Sequence, residues 1–175
     1  MNFYMTFGTA GFLEDLKEGI NVGELLLMQG EDNAVLMHET TEQSSFNSGK
    51  KFEVLDASGD FSTGKYAVLN NIPVTQEGRP VFEYRFSQRA RLIEEEEGFV
   101  AIRVLRPIDS DTYVILTLWE EESNFTKWQE SQAYSKAHEK RGTSEGVDQK
   151  ESVFPRPSFV TSYHAPTPED DTTHN

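Results

Sequence analysis

Phe99-Val100-Ala101-Ile102-Arg103-Val104-Leu105 and Tyr113-Val114-Ile115-Leu116-Thr117-Leu118-Trp119 are two apolar runs joined by a polar stretch, Pro107 to Thr112. Their length, β-branched content and bounding turn residues read as neighbouring strands on either side of a tight loop. Upstream, Gly78-Arg79-Pro80 opens a helix, with Pro80 in the first turn, where its missing N–H costs little. Phe82, Phe86, Ala90 and Ile93 recur at helical spacing and predict one buried stripe, and Gly98 is expected to end that helix. Before it, Tyr66 to Val74 alternates as a strand, with Pro73 best tolerated near an edge. Downstream, Glu121 to Glu130 and Gln132 to Lys140 read as two helical pieces. A long loop over 141–157 and a last strand, Ser158 to Tyr163, follow. The order strand, helix, strand, strand, helix, strand predicts an α+β fold: a ferredoxin-like split βαβ unit with an antiparallel sheet.

Such a unit carries both helices on one sheet face and leaves the other bare. The first half of the chain begins in the same way. Phe3 to Phe7 reads as a strand, and residues 10–18 as a helix with Phe12, Leu13 and Leu16 on one side. Glu24 to Gln29 and Ala34 to His38 read as a hairpin around Gly30-Glu31-Asp32-Asn33. Residues 41–50 are a polar loop, and Phe52 to Ala57 fits a short helix or a strand. Residues 1–64 therefore read as a degenerate ferredoxin-like domain, residues 65–165 as the complete one, and 166–175 as an acidic disordered tail. Two such units in one chain would cover each other's bare faces as a pseudo-dimer. Two chains pairing sheet to sheet would bury the same surface.

Composition narrows the function. Thirty acidic residues against 16 basic ones give a net charge of −14, which repels a phosphate backbone, so no nucleic-acid partner is expected. The absence of cysteine rules out disulfide scaffolds, thiolate nucleophiles and iron–sulfur clusters. No apolar run is long enough to span a membrane and no leader is legible, so the expected location is cytoplasmic, with no membrane partner. The four histidines, His38, His138, His164 and His174, form no H-E-x-x-H or H-x-H pair. Glu94 to Glu97 reads as a solvated acidic run rather than an acid/base pair.

Three residues stand out. His138 shares a helix face with Tyr134, beside the small Ala133 and Ala137, which leave room for a flat ligand. An imidazole directed into such a gap can hold heme iron, although the pattern alone reads as an ordinary helix-end histidine. Trp128, three residues after Phe125, reads by pattern as core packing. Asn70 and Asn71 interrupt an apolar strand; alternation places Asn70 with Ile72 and Val74, and Asn71 with Leu69 on the opposite face. A buried amide must be satisfied, so one of them braces a neighbouring loop or faces a pocket.

Taken together, Ile115-Leu116-Thr117-Leu118-Trp119, Phe125-Thr126-Lys127-Trp128, Ser131, Tyr134 and Ala137-His138 resemble the heme-degrading monooxygenases of the antibiotic-biosynthesis-monooxygenase superfamily. Leu27-Met28-Gln29-Gly30, Val68 to Pro80 and Ile102 to Trp119 extend the similarity to the longer, bacillus-type members. The resemblance implies heme as both substrate and oxygen-activating group, with an external electron donor. It implies His138 as the axial iron ligand, Asn70 as the residue near bound oxygen, with Asn71 the rival by one residue of register, and Trp128 pressing on the macrocycle. Lys136, Lys140 and Arg141 are candidates to offset the charge of the heme propionates. The resemblance to the longer members further implies a monomer, the alternative being a homodimer.

Overall fold

The computed structural model describes residues 1–89, 91–139 and 153–167, the side chains of 133–139 excepted. The strands are β1 (Asn2–Gly8), β2 (Glu24–Gln29), β3 (Ala34–Thr40), β4 (Lys50–Ser58), β5 (Tyr66–Pro73), β6 (Phe99–Pro107), β7 (Thr112–Trp119) and β8 (Phe159–His164). The α-helices are α1 (Ala10–Glu18), α2 (Arg79–Ser87) and α3 (Glu122–Glu139). The expected α+β, ferredoxin-like arrangement is what the chain adopts. The first four strands lie in the order β4-β1-β3-β2 and the last four in the corresponding order β8-β5-β7-β6, all antiparallel.

The two sheets join at both edges into one closed barrel. The β4–β6 seam is long, running from Phe52↔Pro107 to Ser58↔Ile102, whereas β2 meets β8 only at Gln29↔His164. Closure settles what covers the bare faces. Phe3, Met5, Val35, Met37 and Phe52 from the first half pack inside the barrel against Leu69, Leu105, Val114, Leu116 and Leu118 from the second. Each half thus supplies the apolar surface that the other must bury. Antiparallel closure also leaves fewer unpaired backbone groups along the edges.

Outside the barrel the halves differ. The polar segment 41–49 forms no helix, so the first half has α1 alone. α1 starts at Thr9, whose hydroxyl accepts from the Phe12 amide, and it seats Ala10 and Leu13 on Leu27, Ala34 and Leu36. Phe12, expected on the buried stripe, is exposed. Phe52 to Ala57 belongs to a strand. α3 is one continuous helix where two pieces were expected, because nothing between Glu130 and Gln132 interrupts backbone hydrogen bonding. α2 is shorter than its apolar spacing predicts and ends at Ser87. Arg91 then adopts φ 59°, a left-handed conformation that breaks the helix, and Leu92–Glu95 form a separate 3-10 turn carrying Ile93. Ala90 lies outside the described residues. Gly98 therefore caps no α-helix; at φ +80° it turns the chain into β6, with its Cα face against Asn124 at the start of α3. The tail assigned to 166–175 lies outside the described residues from 168 onward, as does most of the loop expected over 141–157. No helix among the described residues is long and apolar enough to cross a membrane.

Candidate active site

On the outer face of the second sheet, α3 and the 3-10 turn stand off from the strands and enclose a cleft of about 590 Å³. Its floor is Val68 and Asn70 of β5, Ile102 of β6 and Ile115 and Thr117 of β7. Its walls are Leu92 and Ile93 on one side and Phe125, Trp128, Gln129 and Gln132 on the other. An apolar hollow with a few converging polar groups is the usual form of a small-molecule site. On the matching face of the first half, α1 packs directly on its sheet. A second hollow of about 510 Å³ lies at the short β2–β8 seam and is lined by polar groups, including Glu31, Asp32, Glu122 and His164.

Strand alternation delivers Asn70 to the cleft. It shares that face with Val68, and its Oδ1 is buried without a hydrogen-bond partner among the described residues. An orphaned buried amide oxygen costs about 1–3 kcal/mol, so it marks a place where a ligand group is wanted. The amide can present either its oxygen or its NH₂ by a half-turn about its last torsion. Asn71 is differently committed. It is 2% exposed, and its Nδ2 donates to Leu69 O at 3.1 Å, Phe159 O at 3.2 Å and Thr161 Oγ1 at 3.2 Å, bracing β5 against β8. It does not line the cleft.

Trp128 is half-buried on the cleft face of α3. Its ring centroid lies 5.8 Å from that of Trp119 and 6.1 Å from that of Phe125. The fully buried Trp119 donates its indole N–H to Thr117 Oγ1 at 3.0 Å, which satisfies both groups. This cluster backs the Trp128 indole with two aromatic rings on its sheet side. α3 continues to Glu139, so the backbone of His138 sits in its last turn, about 15 Å along the axis from Trp128. The imidazole of His138 lies outside the described residues, as do the side chain of Lys136 and the whole of Lys140 and Arg141. Of the other histidines, His38 is fully buried with Nε2 2.7 Å from Val22 O, and His164 is exposed. Among the described residues no cluster of His, Cys, Asp or Glu is arranged to hold a bare metal ion.

The sequence reading missed the charged rim. Arg89 and Arg91 line the cleft, and both are tied to the same two carboxylates. Arg89 Nε donates to Asp56 Oδ2 at 3.0 Å and its Nη2 to Glu94 Oε1 at 2.7 Å. Arg91 Nη2 donates to Asp56 Oδ1 at 2.9 Å and its Nη1 to Glu94 Oε1 at 3.1 Å. Burial alone would raise the pKa of Asp56, but the hydrogen bond from Arg91 and the charge of Arg89 outweigh it and hold the carboxyl below its usual range. Glu94 is lowered chiefly by the hydrogen bond from Arg89. Glu94 is therefore not part of a plain solvated run. The available signal was Arg89-Ala90-Arg91 directly before the acidic stretch, where the apolar spacing favoured reading straight through as helix.

Residues 65–140 match the profile of the antibiotic biosynthesis monooxygenase family, which is less than half of the chain. A curated relative, the heme-degrading monooxygenase of Listeria monocytogenes, is 23% identical over 159 residues, covering 89% of this chain and 95% of the relative. The signal transduction protein TRAP of Staphylococcus aureus is 25% identical over 138 residues, covering 75% of this chain and 79% of the relative. A solved structure described as a major regulator of staphylococcal pathogenesis superposes with a TM-score of 0.80 at 22% identity. It covers 95% of this chain and all of the other, and speaks to fold alone.

Proposed function

We propose that this chain binds heme in the cleft between α3 and the second sheet and cleaves it oxidatively, using O₂ and an external reductant, with release of iron. The observation that carries the reading is the cleft itself. It has apolar walls, the unpartnered Asn70 amide on its floor and the Trp128 indole on its side, and it is roomy enough for a flat macrocycle. The 23% identity to a heme-degrading monooxygenase points the same way. Finer kinship, to the bacillus-type enzyme HmoB, belongs to this proposal. So does a division into a supporting unit, 1–64, and a heme-handling unit, 65–165.

Heme, when bound, supplies the iron at which oxygen is activated. The chain's part is to bind, orient and bias. His138 would give one imidazole nitrogen to the iron from the end of α3. Asn70 would pair, through whichever end of its amide it presents, with a polar atom on the inner side of the ligand. Trp128, backed by Trp119 and Phe125, would press on the ring and favour a non-planar macrocycle. Leu92, Ile93, Ile102 and Ile115 would keep water from the apolar part of the ligand. Electrons come from outside, and the chain works in the cytoplasm as a monomer.

A second reading, heme binding without turnover in a carrier or regulatory role, is favoured by the similarity to TRAP. One experiment separates the two. Hemin titrated into the full chain should shift the Soret band, with saturation near one equivalent. Ascorbate in air should then bleach the band, yield a ring-opened product by mass and release iron to a ferrozine trap. A saturable shift with a stable Soret band under those conditions makes the protein a carrier, and the absence of any shift removes heme from the account.

A further inference from the structure

We infer that Asp56, a residue of the first half of the chain, sets the cleft's selectivity for ligands bearing carboxylates by competing with them for Arg89 and Arg91. The inference rests on the heme reading and deepens it.

Asp56 reaches the cleft because of a fault in β4. Val54 is paired with Leu105 and faces the barrel interior. Regular alternation would send residue 56 the same way. The register slips between Val54 and Asp56, so Asp56 lies opposite Val104 and turns to the outer face, where Val104 packs with Ile102 and Ile115, two residues of the cleft floor. A bulge that re-aims one side chain toward a site is a common use of the irregularity. Here it carries an acid from one half of the molecule to the rim of the pocket in the other.

Two guanidinium groups at a pocket mouth are a natural receiver for carboxylates, because their planar donors match the two oxygens. Heme carries two propionates. In this structure the donors already have an occupant: Asp56 and Glu94 each bind both arginines, and the four charges sum to zero. The side chain of Arg91 is 52% exposed, against 14% for Arg89 and 22% for Asp56, so the exchange is open to a ligand entering from solvent on the Arg91 side. An incoming propionate binds by exchange, and what it gains is the difference between its own bonds and those of the carboxylate it displaces. A neutral ligand gains nothing at this rim. The overall charge of −14 gives no further help to an anion.

The test compares hemin with hemin dimethyl ester, whose propionates are uncharged, on the full chain and on Asp56→Asn and Glu94→Gln. Removing either competing carboxylate should tighten hemin about fivefold, what one partly exposed ion pair is worth, and leave the ester unchanged. The gain should shrink as salt is added. Glu94→Gln guards against a folding defect in Asp56→Asn, since Glu94 lies on a surface turn. If both variants leave hemin unchanged or weaken it, or if they tighten the ester as much as hemin, the competition is refuted while the heme reading stands. If neither porphyrin binds the native chain, the heme reading fails and takes this inference with it.

Discussion

Glu83 on α2 accepts from Arg106 Nε at 2.9 Å, from Arg106 Nη2 at 2.6 Å and from the Tyr113 hydroxyl. The hydrogen bonding of Arg106 lowers its pKa, burial works against that, and the Tyr113 bond adds to the lowering, so the carboxyl titrates below its ordinary 4.5. A carboxylate whose folded pKa is depressed contributes stability that is complete above its unfolded value and is lost as pH falls through the folded one. The native melting temperature should therefore fall below about pH 4.5 more steeply than that of Glu83→Gln, with the two curves converging in acid. Parallel curves would show that Glu83 is not a pH-dependent clamp on α2. The same scale explains what was legible at Asn70 and Asn71. Period-two alternation put them on opposite faces, as they are. It gave no means of knowing that β8 would offer Phe159 O and Thr161 Oγ1 to occupy Asn71, since that partner lies 88 to 90 residues away.

At the scale of elements, local patterns were read well where one physical cause dominated. The β6 and β7 runs, the hairpin turn at 30–33 and Pro80 at the start of α2 each follow from burial or from a turn residue. Where two causes competed, the pattern misled. Phe82, Phe86, Ala90 and Ile93 keep helical spacing across a break, because a 3-10 turn after a left-handed Arg91 places Ile93 on the same cleft that a longer helix would have faced. After the break, Leu92 and Ile93 of the 3-10 turn form one wall of the cleft. Arg89 and Arg91 are held in this short segment by Asp56, a contact between residues over 30 positions apart that no local window contains.

At the scale of the whole molecule, the barrel is held by a polar tie as well as by its apolar filling. Arg103 of β6 points inward among the core residues and binds Glu39 of β3 through two bonds, at 2.6 and 3.3 Å. Its remaining donors reach Ser58 O, Ile102 O and Gly59 O. Both side chains are about nine-tenths buried. Arg103→Met leaves a buried carboxylate unpaired and should lower unfolding stability by about 3 kcal/mol in denaturant titrations. Replacing Glu39 by Leu in the same chain should return much of the loss. If the single variant is as stable as the native chain, this ion pair adds nothing to the joint that the strand ladders and the apolar filling already make. The sequence showed that each half needs a cover for its bare face. It did not show that both seams would close, because closure depends on the registers of β4 on β6 and of β2 on β8, which composition and periodicity do not encode.

The most direct test of the central claim is a crystal structure of the full chain with hemin. The account predicts the porphyrin between α3 and the β5–β7 floor, the His138 imidazole on the iron, Trp128 against the ring and Asn70 on the inner side. Hemin seated instead at the β2–β8 seam, or in the cleft with iron held by another residue, would contradict it.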